Sequence, residues 1–300
     1  MTGARESDIL SCMNRKIVAR LLAVIPFAVA GWLAYTQAPA PPKLVLNKVK
    51  DDLYEIEGDG GNVAVYLTDE GVILIDDKYD QDHDQIVANV KSITDKPIKY
   101  ILSTHYHQDH SGGNGKFLSS VQIISTDMAR KNIINKTQQG NVQPPAVQPA
   151  TITYNDEMSV FLGGKEVRAK HFGRGHTNTD AIMYFPALKV IHTGDLMAGN
   201  TPLIDYPGGG SVVEWTKTLD AAMNSLDFDT VIPGHGAVTT KAALKGYRDN
   251  VEKLKNRAQG LIRQGKSEAD VFDVMVKEFN WAPTGLQKQW STPGMMKELK

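Results

Sequence analysis

The chain has 300 residues, a formal charge of −1 and 41% hydrophobic content, enough for one large domain or two small ones and too apolar for wholesale disorder. Lysine plus arginine number 33 against 34 acidic residues, so no charge excess points to a nucleic-acid partner, and none is expected. The single cysteine, Cys12, excludes an intrachain disulfide framework and any cysteine-rich zinc site.

The first feature in chain order is Arg15 and Lys16 leading into the apolar stretch from Leu21 to Tyr35, followed by TQAPAPPK. A basic flank, an apolar stretch and small residues after it predict a secretory signal peptide or an N-terminal membrane anchor plus linker over residues 1–42. Ile9-Leu10-Ser11-Cys12 looks like a lipid-attachment site but precedes the apolar segment instead of following it. The positive flank stays in the cytoplasm, so the remainder is expected to be exported, periplasmic or anchored to the outer face of the inner membrane. A cysteine-free exported domain suits an oxidising compartment.

A β-rich run follows: Leu44–Val49, Leu53–Glu57, Val63–Thr68 and Gly71–Ile75, rich in Val, Ile, Leu and Tyr and split by Asp/Gly clusters. Gln85–Ile93 has helical spacing, and Lys99–Ser103 reads as a buried strand entering a histidine-rich loop. Val121–Ser125 predicts a strand and 126–135 a helix, while 136–150, without periodicity, reads as an exposed loop. Strands are expected at 151–154, 158–162, 166–172, 181–185 and 189–192. Ser211–Leu226 and Thr240–Gln259 have helical pattern; Gly265 stops a helix, and Ser267 with Asp270 caps another running to Phe279. Two halves, each strands then helices, predict an α+β fold with two mixed sheets packed face to face and helices outside. The main domain is placed at 43–240, with a C-terminal helical extension at 241–300 packed on it.

The stretch ILSTHYHQDHSGGN holds His105, His107, Asp109 and His110 directly after a buried strand. Residues two apart in extended chain share a face, so His105 and His107 can approach one ion, while Asp109 and His110 on the next bend can approach a second. His176 in GRGHTNTD, Asp195 in HTGDL and His235 in VIPGHG each stand in a Gly- or Pro-bearing loop at a strand end, where a rigid sheet presents functional side chains. Seven nitrogen and oxygen ligands are too many for one zinc, which takes three protein ligands and keeps an open position. The partition that follows gives His105, His107 and His176 to one ion and Asp109, His110 and His235 to another, with Asp195 bridging. A metal-bridging hydroxide would be the attacking group, and two divalent ions against Asp109, Asp195 and hydroxide leave a residual positive charge to stabilise an oxyanion. Asp109 and Asp195 are therefore the candidate catalytic residues as well as ligands. Zinc suits this set, and manganese or iron accept similar ligands. His83 reads as solvated, and His171 and His192 as structural. Asp76, ending the GVILID strand, could orient a ligating histidine, with Asp180 a weaker candidate for the same role.

THYHQDHSGGN, GRGHT, TGDL and PGHG, in that order with GVILID upstream, resemble the metallo-β-lactamase superfamily over roughly residues 43–240. The resemblance implies a four-layer αβ/βα sandwich with the metals at one edge, and hydrolysis of a small ester, lactone, thioester or amide in a small-molecule substrate. Zinc β-lactamases of this superfamily commonly place cysteine or serine where this chain has Asp195; the aspartate resembles glyoxalase II-like and lactonase-like members. A periplasmic zinc β-lactamase is the runner-up, and a non-enzymatic, membrane-tethered binding module the reading outside catalysis. Gly199–Ser211 reads equally as a plain loop or as part of the pocket rim, with Asn200 or Tyr206 near the substrate in the second case.

Overall fold

A computed structural model describes residues 42–138 and 147–300. The expected signal or anchor lies outside the described residues, as do residues 139–146 of the expected loop. No helix among the described residues is long and apolar enough to cross a membrane.

Alternation along each strand sorts its side chains between two packing layers. Strands β1 (Val45–Lys50), β2 (Leu53–Glu57), β3 (Val63–Leu67), β4 (Val72–Ile75), β5 (Ile98–Leu102), β6 (Gln122–Thr126) and β7 (Ile152–Tyr154) form one sheet in sequence order. It is antiparallel from β1 to β4 and parallel from β4 to β7. The second sheet holds β8 (Glu157–Leu162), β9 (Lys165–Lys170), β10 (Ile182–Phe185), β11 (Val190–His192), β12 (Thr230–Ile232) and β13 (Thr239–Thr240), with β11 and β12 as its parallel pair. Ile73, Ile75, Leu102 and Ile124 of the first sheet meet Val167, Met183, Phe185 and Ile232 of the second in a shared inner core. Their strand neighbours Val72, Leu74, Ile101 and Ile123 point the other way, onto Ile86 and Val90 of α1 (His83–Lys91). The opposite outer face works likewise: Ile182, Ile191 and Val231 pack on Trp215 and Leu219 of α5 (Val212–Ser225) and on Leu244 and Val251 of α6 (Lys241–Arg263). The period of two thus builds three apolar layers from two sheets, and helices close the outer two.

The helical termini follow local chemistry. The Ser211 hydroxyl accepts from the Glu214 amide to start α5, and Ser267 with Asp270 forms a reciprocal capping box at α7 (Glu268–Phe279). Two connecting turns, α2 (Gln108–Ser111) and α3 (Asn114–Phe117), follow β5. Helix α4 (Asp127–Gln138) runs past the expected end at 135. The segment expected as an exposed loop is partly built into the protein. Val147 and Ala150 are buried, and Val147 joins Tyr106, Ala129 and Ile133 in a small apolar cluster, because one face of α4 needs covering. The last helix, α8 (Thr292–Glu298), lacks a sequence period long enough to be seen; Met295 and Leu299 tie it to the core beneath α5–α7.

Candidate metal centre

All seven candidate ligands converge at one edge of the sandwich, in the turns and loops between its strands and helices. His105, His107, Asp109 and His110 follow β5, with Asp109 and His110 on α2. His176 lies between β9 and β10, Asp195 on the turn after β11, and His235 just after β12. The ligating atoms of His105, His107 and His176 lie within 4.8 Å of one another, as do those of Asp109, His110 and His235. His105 Nε2 stands 3.1 Å from His107 Nδ1, which is 2.9 Å from His176 Nε2. In the second trio His110 Nε2 and His235 Nε2 are 3.3 Å apart, and Asp109 Oδ2 is 3.1 Å from His235 Nε2. Asp195 faces both trios: Oδ1 is 3.1 Å from His110 Nε2 and Oδ2 is 3.6 Å from His176 Nε2.

The partners on the far side of each ring decide what the inward nitrogens carry. His110 Nδ1 lies 2.8 Å from Asp76 Oδ2, His107 Nε2 lies 2.8 Å from Asp205 Oδ2, and His176 Nδ1 lies 2.6 Å from the Leu203 carbonyl. Each partner is an acceptor, so each ring places its proton outward and turns a lone pair to the centre. The Thr104 hydroxyl donates to Asp76 Oδ2 at 2.8 Å, leaving its oxygen to accept from His105 Nδ1 at 3.1 Å. Four imidazole lone pairs facing one another at such distances repel unless a cation sits among them. Asp195 Oδ1 is also buried without a hydrogen-bond partner among the described residues. This donor set fits bound metal ions.

Charge reads the same way. Burial disfavours the ionised form of Asp109 and of Asp195, yet the histidines around them hold both carboxyls below the usual carboxylate range. Burial pushes the His105 and His107 imidazoles down. Burial would also push His110 down, but the Asp195, Asp109 and Asp76 carboxylates outweigh it and raise the group, so a proton and a metal ion would compete for its inward nitrogen.

Two glycines admit the ligands. A Cβ on Gly61 would lie 2.2 Å from His110 Cε1, and one on Gly234 would lie 2.1 Å from Asp195 Oδ1. Asn62 ties the halves together: its amide donates to the Gly234 carbonyl at 2.7 Å and its side chain donates to the Pro233 and Gly236 carbonyls, clamping the His235 loop. Asp76 itself adopts a left-handed backbone, with φ 63°, which turns the carboxylate from the end of β4 under Thr104 and His110.

Other expectations divide. Asp180 touches no ligand ring; it accepts from the amide and hydroxyl of Thr177, holding the loop that carries His176, and burial pushes its carboxyl up to about 7. His192 is buried, pushed down to about 4, between the Asn62 carbonyl and the Gly194 amide. His171 bonds the Asp180 carbonyl. His83 lies beside Asp84 and Phe117, away from the centre. In the 199–211 stretch the expectation for Tyr206 is overturned. Its hydroxyl donates to Glu298 at 2.6 Å and its ring packs into the core, because α8 supplies the acceptor. Asn200 borders a neighbouring hollow beside His235 rather than the main pocket. The residues of that stretch that reach the ligand rings are Asp205, through its carboxylate, and Leu203, through its carbonyl; sequence reasoning missed both, since an irregular loop carries no periodic signal.

The centre opens into a cavity of about 560 Å³. Asp109, Asp195, His107 and His235 form its floor, and Tyr106, Ile133, Lys136, Leu286 and Trp290 stand among its walls.

The metallo-beta-lactamase superfamily model matches residues 56–235. The chain is 23% identical over 252 residues to a metallo-beta-lactamase type 2 of Elizabethkingia meningoseptica, covering 78% of this chain and 94% of that protein. It is 24% identical over 212 residues to a linear primary-alkylsulfatase of a Pseudomonas strain, covering 56% of this chain and 40% of that protein. The crystal structure of DIM-1 metallo-beta-lactamase superposes with a TM-score of 0.62 at 20% identity, over 71% of this chain and 99% of that one. The match runs from the end of β2 to His235, and the chain belongs to the metallo-beta-lactamase superfamily.

Proposed function

We propose that this metal-dependent hydrolase holds two zinc ions and cleaves a small ester, lactone, thioester or amide. The observation that carries the reading is Asp195, whose two oxygens face two separate trios of ligands. His105, His107 and His176 would hold one ion, Asp109, His110 and His235 the other, and Asp195 both. When bound, such a pair of ions polarises a carbonyl oxygen and lowers the pKa of water to near neutrality. The protein's own share is orientation. Asp76, Thr104, Asp205 and the Leu203 carbonyl fix the rings, while Trp290 and Leu286 wall the cavity beside them.

A zinc β-lactamase is the second reading, favoured by the similarity to the Elizabethkingia metallo-beta-lactamase and opposed by the aspartate at 195. Export across the inner membrane is part of the proposal and rests on the basic-apolar pattern of residues 15–40.

Elemental analysis of the purified protein tests the first part: about two zinc per chain are expected. Turnover of nitrocefin, an acyl-homoserine lactone, a p-nitrophenyl ester and S-lactoylglutathione tests the second. Two zinc with hydrolysis of any member but nitrocefin favours the leading reading; nitrocefin alone favours the β-lactamase. Absence of metal after supplementation sinks both.

A further inference from the structure

Lys136 is the one lysine or arginine among the described residues lining the cavity. It sits near the end of α4, and its ammonium lies 4.2 Å from the centre of the Tyr106 ring and 5.9 Å from that of Trp290. It donates to the Tyr106 hydroxyl, which donates to Asp205 Oδ2, the oxygen that also meets His107. Lys136 Nζ is itself 3.9 Å from that oxygen. The ammonium is therefore held one carboxylate beyond a ligating histidine, close to where a bond would be cleaved.

Asp205 at 3.9 Å balances part of its charge without taking a direct hydrogen bond, so donors of the ammonium stay open. Asp205 already meets the Tyr106 hydroxyl and His107 Nε2 through Oδ2 and accepts from the Gly208 amide through Oδ1 at 2.9 Å. An ammonium has three donors, and the Tyr106 hydroxyl takes one. Around it the wall is apolar: Ile133, Val147, Leu286 and the Trp290 ring, which stands 6.3 Å from the His107 ring. A single cation on an apolar, aromatic wall fixes the orientation of an amphiphilic ligand.

We infer that the substrate carries a carboxylate, received by Lys136, a few bonds from the scissile carbonyl, joined to it by an apolar or aromatic body lying against Trp290. This rests on the hydrolase reading for the scissile group, but not for the anion.

The test separates the two. In metal-free protein, calorimetry with 3-phenylpropionate and with 3-phenylpropanamide reads the anion preference without any turnover. The carboxylate is expected to bind about tenfold to a hundredfold more tightly, the range of one charge-assisted hydrogen bond, and Lys136→Ala is expected to abolish the difference. In zinc-loaded protein, the kcat/KM ratio of 4-acetoxybenzoate to 4-acetoxybenzamide should fall by a similar factor in Lys136→Ala, through KM, and recover in part in Lys136→Arg. Should the alanine variant not fold, salt answers on the wild type: added sodium chloride should weaken binding of the propionate and leave the amide unmoved. Equal affinity for acid and amide, or a preference that survives Lys136→Ala or high salt, overturns the inference. Failure of the hydrolase reading looks different: no zinc and no turnover of either ester, with the calorimetric preference intact.

Discussion

The two halves of the sandwich build the metal centre in different ways. The first sheet contributes four candidate ligands from one short stretch after β5, supported from beneath by Asp76 and Thr104 of the same sheet. The second contributes His176, Asp195 and His235 singly, from three separate strand ends. Support then crosses between the halves: Asp205 of the second orients His107 of the first, and Asn62 of the first clamps the loop of His235. A contiguous group of ligands can be held by its own sheet. A scattered group needs rigid strand ends and struts from the other side, and Asp195 joins the two.

Removing that joint is the most damaging test of the comparison. Asp195→Ala is expected to lower zinc occupancy and cut turnover by about two to three orders of magnitude, the scale of losing a central charge-stabilising group. Elemental analysis beside steady-state kinetics checks it. Full metal and full rate would mean the halves hold their ions independently.

The supporting carboxylates give the next largest effect and sharpen the contrast. Asp76→Ala frees the ring of His110, and Asp205→Ala frees that of His107. Each should cost about tenfold to a hundredfold in metal affinity. The losses should fall on different ions, Asp76 on the one shared with His235 and Asp205 on the one shared with His176. Competition with a chelator, followed by cobalt substitution and its visible spectrum, reads which site empties. If both variants lose the same ion, the division into trios is wrong.

How far the site was legible in the sequence follows this same line. His105, His107, Asp109 and His110 stand at a spacing that speaks by itself. His176, Asp195 and His235 became convincing only beside it, through their strand-end, glycine-flanked settings. Asp76 could be read because it ends a strand with a fixed direction. Asp205, Asn62 and Lys136 could not, since what brings each to the centre is a long-range crossing rather than a local period. The fold divides likewise. Strands and long helices with a clear period were legible within a few residues. The strand β13 and the final helix α8 were not, being too short to show a period, and β12 was legible only as the short strand before His235. In the loop expected at 136–150, exposure was misread at Val147 and Ala150, isolated apolar residues whose partners lie elsewhere in the chain.

The first half also carries ionisable groups under its sheet that take no part in ligation. Glu55 on β2 is buried, one of its oxygens lacks a hydrogen-bond partner, and burial pushes its carboxyl from 4.5 up to about 7. An acid whose folded pKa lies above its unfolded value takes up a proton on folding between the two. Its contribution is therefore fully present below about pH 4.5 and is lost as pH rises through about 7. Glu55→Gln should flatten that decline, gaining about 1–3 kcal/mol relative to wild type at pH 8 over pH 4.5. Urea unfolding at the two pH values measures it. An unchanged pH slope would show that Glu55 is ionised without cost.

His83 is the smallest test and the one that asks whether a histidine in the first half matters merely by being there. Its ring lies 4.5 Å from the centre of the Phe117 ring and its Nδ1 2.8 Å from Asp84, on the outer face at the start of α1. Asp84 accepts behind it, but the ring starts a helix instead of following a strand, and no candidate metal-holding group among the described residues includes it. His83→Ala should therefore leave zinc content and turnover within error and cost at most about 1 kcal/mol through the lost contact with Phe117. A large fall in metal content would mean that the centre reaches through α3 to the outer helices. The local rule, a strand end in front and an acceptor behind, would then not suffice to tell ligands from bystanders.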